Sequence, residues 1–237
     1  MSKVGLLQFD PTVGDLEQNC RRLTRLAEQA ERSGADVGVS TELAVCGYPP
    51  RDLLMERDFI HQSMDAALGI ETAIPVLIGT PIPAADARTL PTNGVVRSGP
   101  ASASITDDVQ SRIVAEKQLL PTYDVFDEAR YFAAKNRSGL ARSIGGLTLG
   151  VTVCEDAWQS AGFTPSSYAQ DPVEHIAEWC RQGVAIEATV NLSASPFHSE
   201  KFSTRLAVAR HAAAVLNHPF LLANQVGGND DLLFDGR

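Results

Sequence analysis

The sequence is poor in anything that would staple or anchor it from outside. Only 4 of its 237 residues are cysteine (Cys20, Cys46, Cys154 and Cys180), and none stands in a Cys-x-x-Cys pair. That spacing carries no zinc signature, and four scattered thiols point to a reducing compartment, hence the cytoplasm. No apolar run reaches the roughly 18 residues a membrane span needs. The opening MSKVGLLQFDP is too short in its apolar part, and lacks a cleavage site, to be a signal peptide. Basic residues are outnumbered, 20 Lys and Arg against 29 Asp and Glu, for a net charge of −9 and a pI near 5.0. A nucleic-acid partner needs the opposite balance. Neither GxxxxGK[ST] nor GxGxxG occurs, so "GGND" reads as a turn and not as a phosphate loop. What is present is 44% hydrophobic and 21% charged, enough for one soluble core without staples.

Along the chain, short apolar runs alternate with helical periodicity, which predicts an α/β fold. Val4–Phe9 predicts a first strand. Asp15 then caps a helix whose Leu16, Cys20, Leu23, Ala27 and Ala30 share one face, and Gly34 ends it. "ADVGVSTE" predicts a strand ending at Glu42, "IPVLIGTPI" a strand, "TNGVVRSG" its antiparallel neighbour, and "SRIVAEKQ" a strand leading to Lys117. "SGPASASITDD" is a polar connection. "GLTLGVTVC" leads to Cys154, and "DPVEHIAEWCRQG" has a capping Asp171 followed by proline. "VAIEATVNLSAS", a long helix in "EKFSTRLAVARHAAAVLNH" and a strand in "PFLLANQVGG" complete the pattern. Four strands stop on polar groups: Glu42, Lys117, Cys154, and Asn191 with its serines. Strand ends are where open α/β sheets place their chemistry.

A thiol is a weak nucleophile until a base takes its proton. Glu42 is the candidate base, and it could return that proton to a leaving amine. Lys117 could hold the carboxylate and stabilise an oxyanion, with the Glu155 backbone N–H as a second donor. Composition and spacing do not lift these residues above ordinary roles: a buried cysteine, a helix-capping or ion-paired glutamate, a surface lysine. Trp158 and Trp179 read as packing, and His198 as a loop residue outside the chemistry.

"TELAVCGYPPRDLL", "AEKQLLPTYDVFDEARYF", "VTVCEDAW", "NLSASPFHSEK" and "NQVGGNDDLLFDG" together carry a resemblance that runs from Val4 to Gly236. The chain resembles the glutaminase domain of glutamine-dependent NAD⁺ synthetases, within the nitrilase (carbon–nitrogen hydrolase) superfamily. The resemblance implies a four-layer αββα sandwich, here without its closing strands, with residues 1–237 forming a C-terminally truncated glutaminase domain. It implies that Cys154 attacks the side-chain amide of glutamine, that Glu42 is base and then acid, and that Lys117 stabilises the tetrahedral intermediates. Glu128 falls where the superfamily has a second glutamate, although a solvated helix charge fits it equally well. Tyr48 and Tyr123 resemble the pocket tyrosines. Glu155 is implied to bind the α-ammonium of glutamine, and Ser195 and Lys201 to be further substrate contacts, Lys201 facing the α-carboxylate. No metal and no cofactor are implied for this domain. ATP and magnesium belong to an ATP-dependent synthetase domain absent from this chain, which would use the ammonia to amidate nicotinic acid adenine dinucleotide. A homo-oligomer is implied as well. The alternatives are a free-standing hydrolase of another small amide, or an inactive dimerisation module.

Overall fold

The computed structural model describes residues 2–86, 88–100, 109–135, 139–165 and 167–237. Two sheets carry the architecture. The first runs β1 (Val4–Leu6), β2 (Val37–Val39), β3 (Val76–Ile82), β4 (Thr92–Ser98) and β5 (Ile113–Glu116), in that spatial order. β1, β2 and β3 pair in parallel, and β3, β4 and β5 antiparallel. The second runs β6 (Gly139–Ile144), β7 (Leu147–Val153), β8 (Ala188–Ser193) and β9 (Phe220–Asn224). There β6 and β7 are antiparallel, while β7, β8 and β9 are parallel. A hairpin of β10 (Val226–Asn229) and β11 (Leu232–Asp235) stands apart.

The parallel pairs need crossovers, and helices supply them. α1 (Leu16–Arg32) joins β1 to β2, and α2 (Arg57–Leu68) precedes β3. α5 (Pro172–Arg181) and α6 (Lys201–Leu216) serve the second sheet, and α3 (Val109–Arg112) and α4 (Glu128–Tyr131) are single turns. Asp15 caps α1 by accepting from the Gln18 N–H, and Asp171 caps α5 through Glu174, as the sequence predicts. Leu23 and Ala27 of α1 pack with Met64 and Ala67 of α2 against Val76, Ile78 and Val96 of the first sheet. A separate cluster joins Val37, Val39, Leu77, Val95 and Ala115 of the first sheet to Leu149, Val151, Val153, Val190 and Leu192 of the second. Strands apolar on both sides are buried on both faces, which is why they read as continuous hydrophobic runs.

Several sequence expectations shift. β2 ends at Val39, so Glu42 lies three residues beyond it in a turn. Ser111 and Arg112 belong to α3 rather than to β5. Asn191 lies inside β8, which continues to Ser193. "PFLLANQVGG" is not one strand: pairing with β8 stops at Asn224, and the Val226 N–H turns to the Phe9 carbonyl. Gly227, inside β10, has φ of 98°, a backbone that favours glycine. Gly228 and Asn229 pair with Leu233 and Leu232 in the hairpin, which puts the turn at Asp230–Asp231 instead of "GGND". Most of the "SGPASASITDD" connection lies outside the described residues.

Candidate active site

Glu42 is wholly buried, and both of its oxygens are held. Oε1 accepts from the Lys117 ammonium and from the Asn93 side-chain amide, each at 2.7 Å; Oε2 accepts the Ala194 N–H at 3.0 Å. The turn that carries Glu42 lies against Gly79 of β3. A Cβ there would stand 2.4 Å from the Thr41 carbonyl and 2.6 Å from the Leu43 nitrogen. A glycine in that strand is therefore what lets the turn approach.

Lys117 follows β5 directly, and the Asn93 carbonyl accepts its N–H at 2.7 Å. Its ammonium, also wholly buried, bridges Glu42 and Glu128, at 2.7 Å from each. Burial alone would drive that ammonium to lose its proton. The two carboxylates, Glu128 foremost, reverse this and hold its pKa well above the usual lysine value. Glu128 is no solvated helix charge: it is buried, and Oε1 also accepts the Tyr48 hydroxyl at 2.8 Å. Burial raises its carboxyl to about 7, against the pull of Lys117. The Tyr48 hydroxyl is thus spent on Glu128, and its ring meets Phe234 edge-on, with centroids 6.3 Å apart.

Cys154 begins a 3-10 turn, Cys154–Ala157, directly after β7. Its φ is 44°, a left-handed conformation that costs a non-glycine residue about 1–3 kcal/mol and occurs at sharp functional turns. The residue is 5% exposed. Burial, then the charge of Glu42, push its pKa well up, while Lys117 pulls it down. Burial thus favours the neutral thiol. Asn191 donates to the Cys154 carbonyl at 3.3 Å and to the Thr152 hydroxyl at 3.0 Å, which secures the turn from β8.

The two acids behind the thiol have separate surroundings. Glu155 accepts the Tyr123 hydroxyl at 2.8 and 3.0 Å, and the Tyr168 hydroxyl at 3.3 Å. Burial raises its pKa. Asp156 accepts three backbone N–H groups, from Gln118, Leu119 and Val153, each at 3.0 Å. Burial lifts it to about 7. Lys201, the first residue of α6, lies with its ammonium 4.3 Å from the centre of the Trp158 ring. Burial lowers its pKa, and the charge of Glu155 pulls it back up. Ser195 is fixed through its backbone, which gives its N–H to Asn224 at 2.8 Å and accepts back at 3.2 Å. His198 is exposed.

Glu42, Lys117, Glu128 and Tyr48 thus form one bonded network, Glu155 and Tyr123 a second, and Cys154 lies in the field of both. The sequence reading missed Asn93, Tyr168, Asn191 as a brace, and Asp156. Asp156 left a signal as the second of two consecutive acids after a strand-end thiol, and Asn191 as a polar group near a strand end, while Asn93 and Tyr168 left none.

No family model matches the chain. The glutamine-dependent NAD(+) synthetase of Synechocystis sp. is 37% identical over 246 residues, covering 100% of this chain and 41% of that protein. The enzyme of that name from Thermotoga maritima is 32% identical over 239 residues, covering 99% and 37%. Among solved structures, the glutamine-dependent NAD+ synthetase of Acinetobacter baumannii, in complex with ADP, superposes with a TM-score of 0.79 at 26% identity, over 99% of this chain and 40% of that one. An amidase of the nitrilase superfamily from Nesterenkonia sp. AN1 superposes with a TM-score of 0.73 at 18% identity, over 99% and 80%, a likeness of fold alone. The chain spans about two fifths of the length of the synthetases it matches. By sequence and by its mixed α/β fold, the chain is similar to one region of the glutamine-dependent NAD(+) synthetases.

Proposed function

We propose that this chain hydrolyses the side-chain amide of glutamine through a cysteine thioester, and that in the longer protein the ammonia feeds an ATP-dependent synthetase domain. The observation that carries the reading is the buried Lys117 ammonium clasped between Glu42 and Glu128, with a neutral, strained cysteine in the field of all three. A purely structural ion pair this deep gains little over apolar packing. As catalytic machinery it has a purpose.

The contacts support the following steps. Oε1 of Glu42 already accepts two donors and Oε2 only one, so Oε2 is the oxygen with an open lone pair. It takes the Sγ proton as sulfur attacks the amide carbon. A neutral thiol needs this base at the moment of attack. Lys117 and the Glu155 N–H stabilise the oxyanion. Glu42 then gives the proton to the departing nitrogen, ammonia leaves, and a γ-glutamyl thioester remains. Water, deprotonated by Glu42, attacks that thioester and releases glutamate and the thiol. Glu155 receives the α-ammonium, Lys201 and Ser195 lie toward the α-carboxylate, and Tyr48 and Tyr123 hold the acids of the site in place. The reading includes a four-layer αββα arrangement, in which the helix pairs cover the outer faces of two sheets that share the inter-sheet cluster.

Labelling with a thiol-trapping glutamine analogue tests it. The expected result is one covalent adduct on the Cys154 peptide, protected by glutamine, together with no glutamine hydrolysis by Cys154→Ala. Hydrolysis by that variant would rule out the covalent route. Turnover of another small amide far ahead of glutamine would favour a free-standing hydrolase instead.

A further inference from the structure

The two acids after Cys154 look redundant in sequence, yet they are held in different ways. Glu155 takes its hydrogen bonds from side-chain hydroxyls. Asp156 takes three from backbone N–H groups and is 2% exposed. Those three donors come from two places. Gln118 and Leu119 immediately follow Lys117, and Val153 immediately precedes Cys154.

Lys117 leaves the first sheet at the end of β5, and Cys154 leaves the second at the end of β7. No ladder hydrogen bond joins β5 to β7 among the described residues. Apolar packing brings the two sheets together, but packing is non-directional. A carboxylate spanning N–H groups of both segments is directional, and charge-assisted bonds of this kind are about twice as strong as neutral ones. Three of its roughly four acceptor sites are occupied, which leaves little for a ligand.

We infer that Asp156 is a positioning residue that fixes Lys117 relative to Cys154, and so acts on the chemical step without touching substrate; the inference rests on the hydrolytic reading above. It accounts for the paired acids: one faces the substrate and the other holds the frame. Asparagine cannot replace it. With its carbonyl oxygen toward Gln118 and Leu119, its amide nitrogen faces the Val153 N–H, donor against donor; flipped, it loses the other two bonds. Glu155 keeps its own anchors on Tyr123 and Tyr168 in either case, so substrate binding should survive.

The test is Asp156→Asn, measured three ways: kcat and KM for glutamine, the rate of iodoacetamide alkylation read on the Cys154 peptide with the Cys20 peptide as internal reference, and thermal melting. The expected result is a fall in kcat of roughly tenfold or more, with KM moving less than about threefold. Alkylation of Cys154 should slow relative to Cys20, because a displaced Lys117 no longer favours the thiolate. A folded variant with wild-type kcat and wild-type Cys154 alkylation would overturn the inference. If instead the wild type turns over no glutamine but the alkylation contrast persists, the substrate reading fails and the positioning role stands. Should the variant not fold, hydrogen exchange on the wild type decides. The amides of Val153, Gln118 and Leu119 should exchange together in one slow class. Any of them exchanging like an exposed loop amide removes the clip.

Discussion

Glu155→Gln is the substitution that most directly probes what the site recognises. The side chains are nearly isosteric, so the fold should hold, and the change removes one negative charge beside the nucleophile. In the structure the Glu155 carboxylate spends part of its acceptor capacity on Tyr123 and Tyr168. A carboxylate offers about four acceptor sites, so room is left for an ammonium. A hydrogen bond to a charged group is worth about 1.5–3 kcal/mol, and each 1.36 kcal/mol is about a factor of ten. Loss of the ion pair therefore predicts a roughly ten- to hundredfold fall in kcat/KM for glutamine, carried mainly by KM. Burial raises the Glu155 pKa, so the wild-type KM should also worsen as pH falls and the carboxylate takes a proton, whereas the glutamine variant should lose that dependence. The assay is steady-state ammonia release from glutamine and from a simple aliphatic amide without an α-ammonium, wild type against variant, across pH. Equal losses on both substrates would refute the reasoning, because a group that only shapes the turn or assists the chemistry cannot discriminate between them.

Two further predictions follow from the buried network. Gly79→Ala should push the Glu42 turn off β3, since its Cβ would meet the Thr41 carbonyl at 2.4 Å. Overpacking of this kind costs about 1–3 kcal/mol, so a lower Tm and a lower kcat are expected together, and an unchanged pair would show that the turn can yield. Glu128 has a folded-state pKa raised from 4.5 to about 7, so the native state binds more protons than the unfolded chain across that interval. Its contribution to stability is full below 4.5 and is lost as pH rises through about 7. Thermal melts at pH 5.5 and 8 should therefore differ less in Glu128→Gln than in the wild type, although Asp156, raised to about 7 as well, keeps part of the difference. An identical difference in both proteins would mean that Glu128 does not titrate there.

What was legible in the sequence was what short-range physics decides. The α1 cap at Asp15 and the face of Leu23 and Ala27 depend on residues within one or two turns, and both are found as expected. The runs that became β3, β4 and β7 depend on apolar patterning alone. The environment of Glu128 could not be read in this way. Whether an acid on a single helical turn is solvated or buried depends on a lysine 11 residues before it and a tyrosine 80 residues before it. The same holds for Asn93, which looks like an ordinary strand residue until its amide is seen on Glu42 across 51 residues. The end of β9 was misplaced because the competing partner for Val226 is Phe9, at the other end of the chain. The family resemblance supplied the residues that patterning could not, but it said nothing of what holds them.

The groups of the site come from both sheets, and this sets the terms on which the site can exist. Glu42 and Lys117 leave the first sheet, while Cys154 and Ala194 leave the second. Two glutamates and a lysine buried together carry an excess negative charge that a low-dielectric interior disfavours. Each carboxylate is tolerated because donors reach it across the fold: the Ala194 N–H and Asn93 to Glu42, and the Tyr48 hydroxyl to Glu128. The Ala194 N–H, which comes from the second sheet, depends on the inter-sheet cluster of Val39, Leu77, Val151, Val153 and Val190 that holds the sheets together. A cavity made in that cluster, far from any substrate, should therefore harm the chemistry as well as the stability. On the proposed mechanism, loosening the two sheets would part Glu42 and Lys117, on the first, from Cys154, on the second.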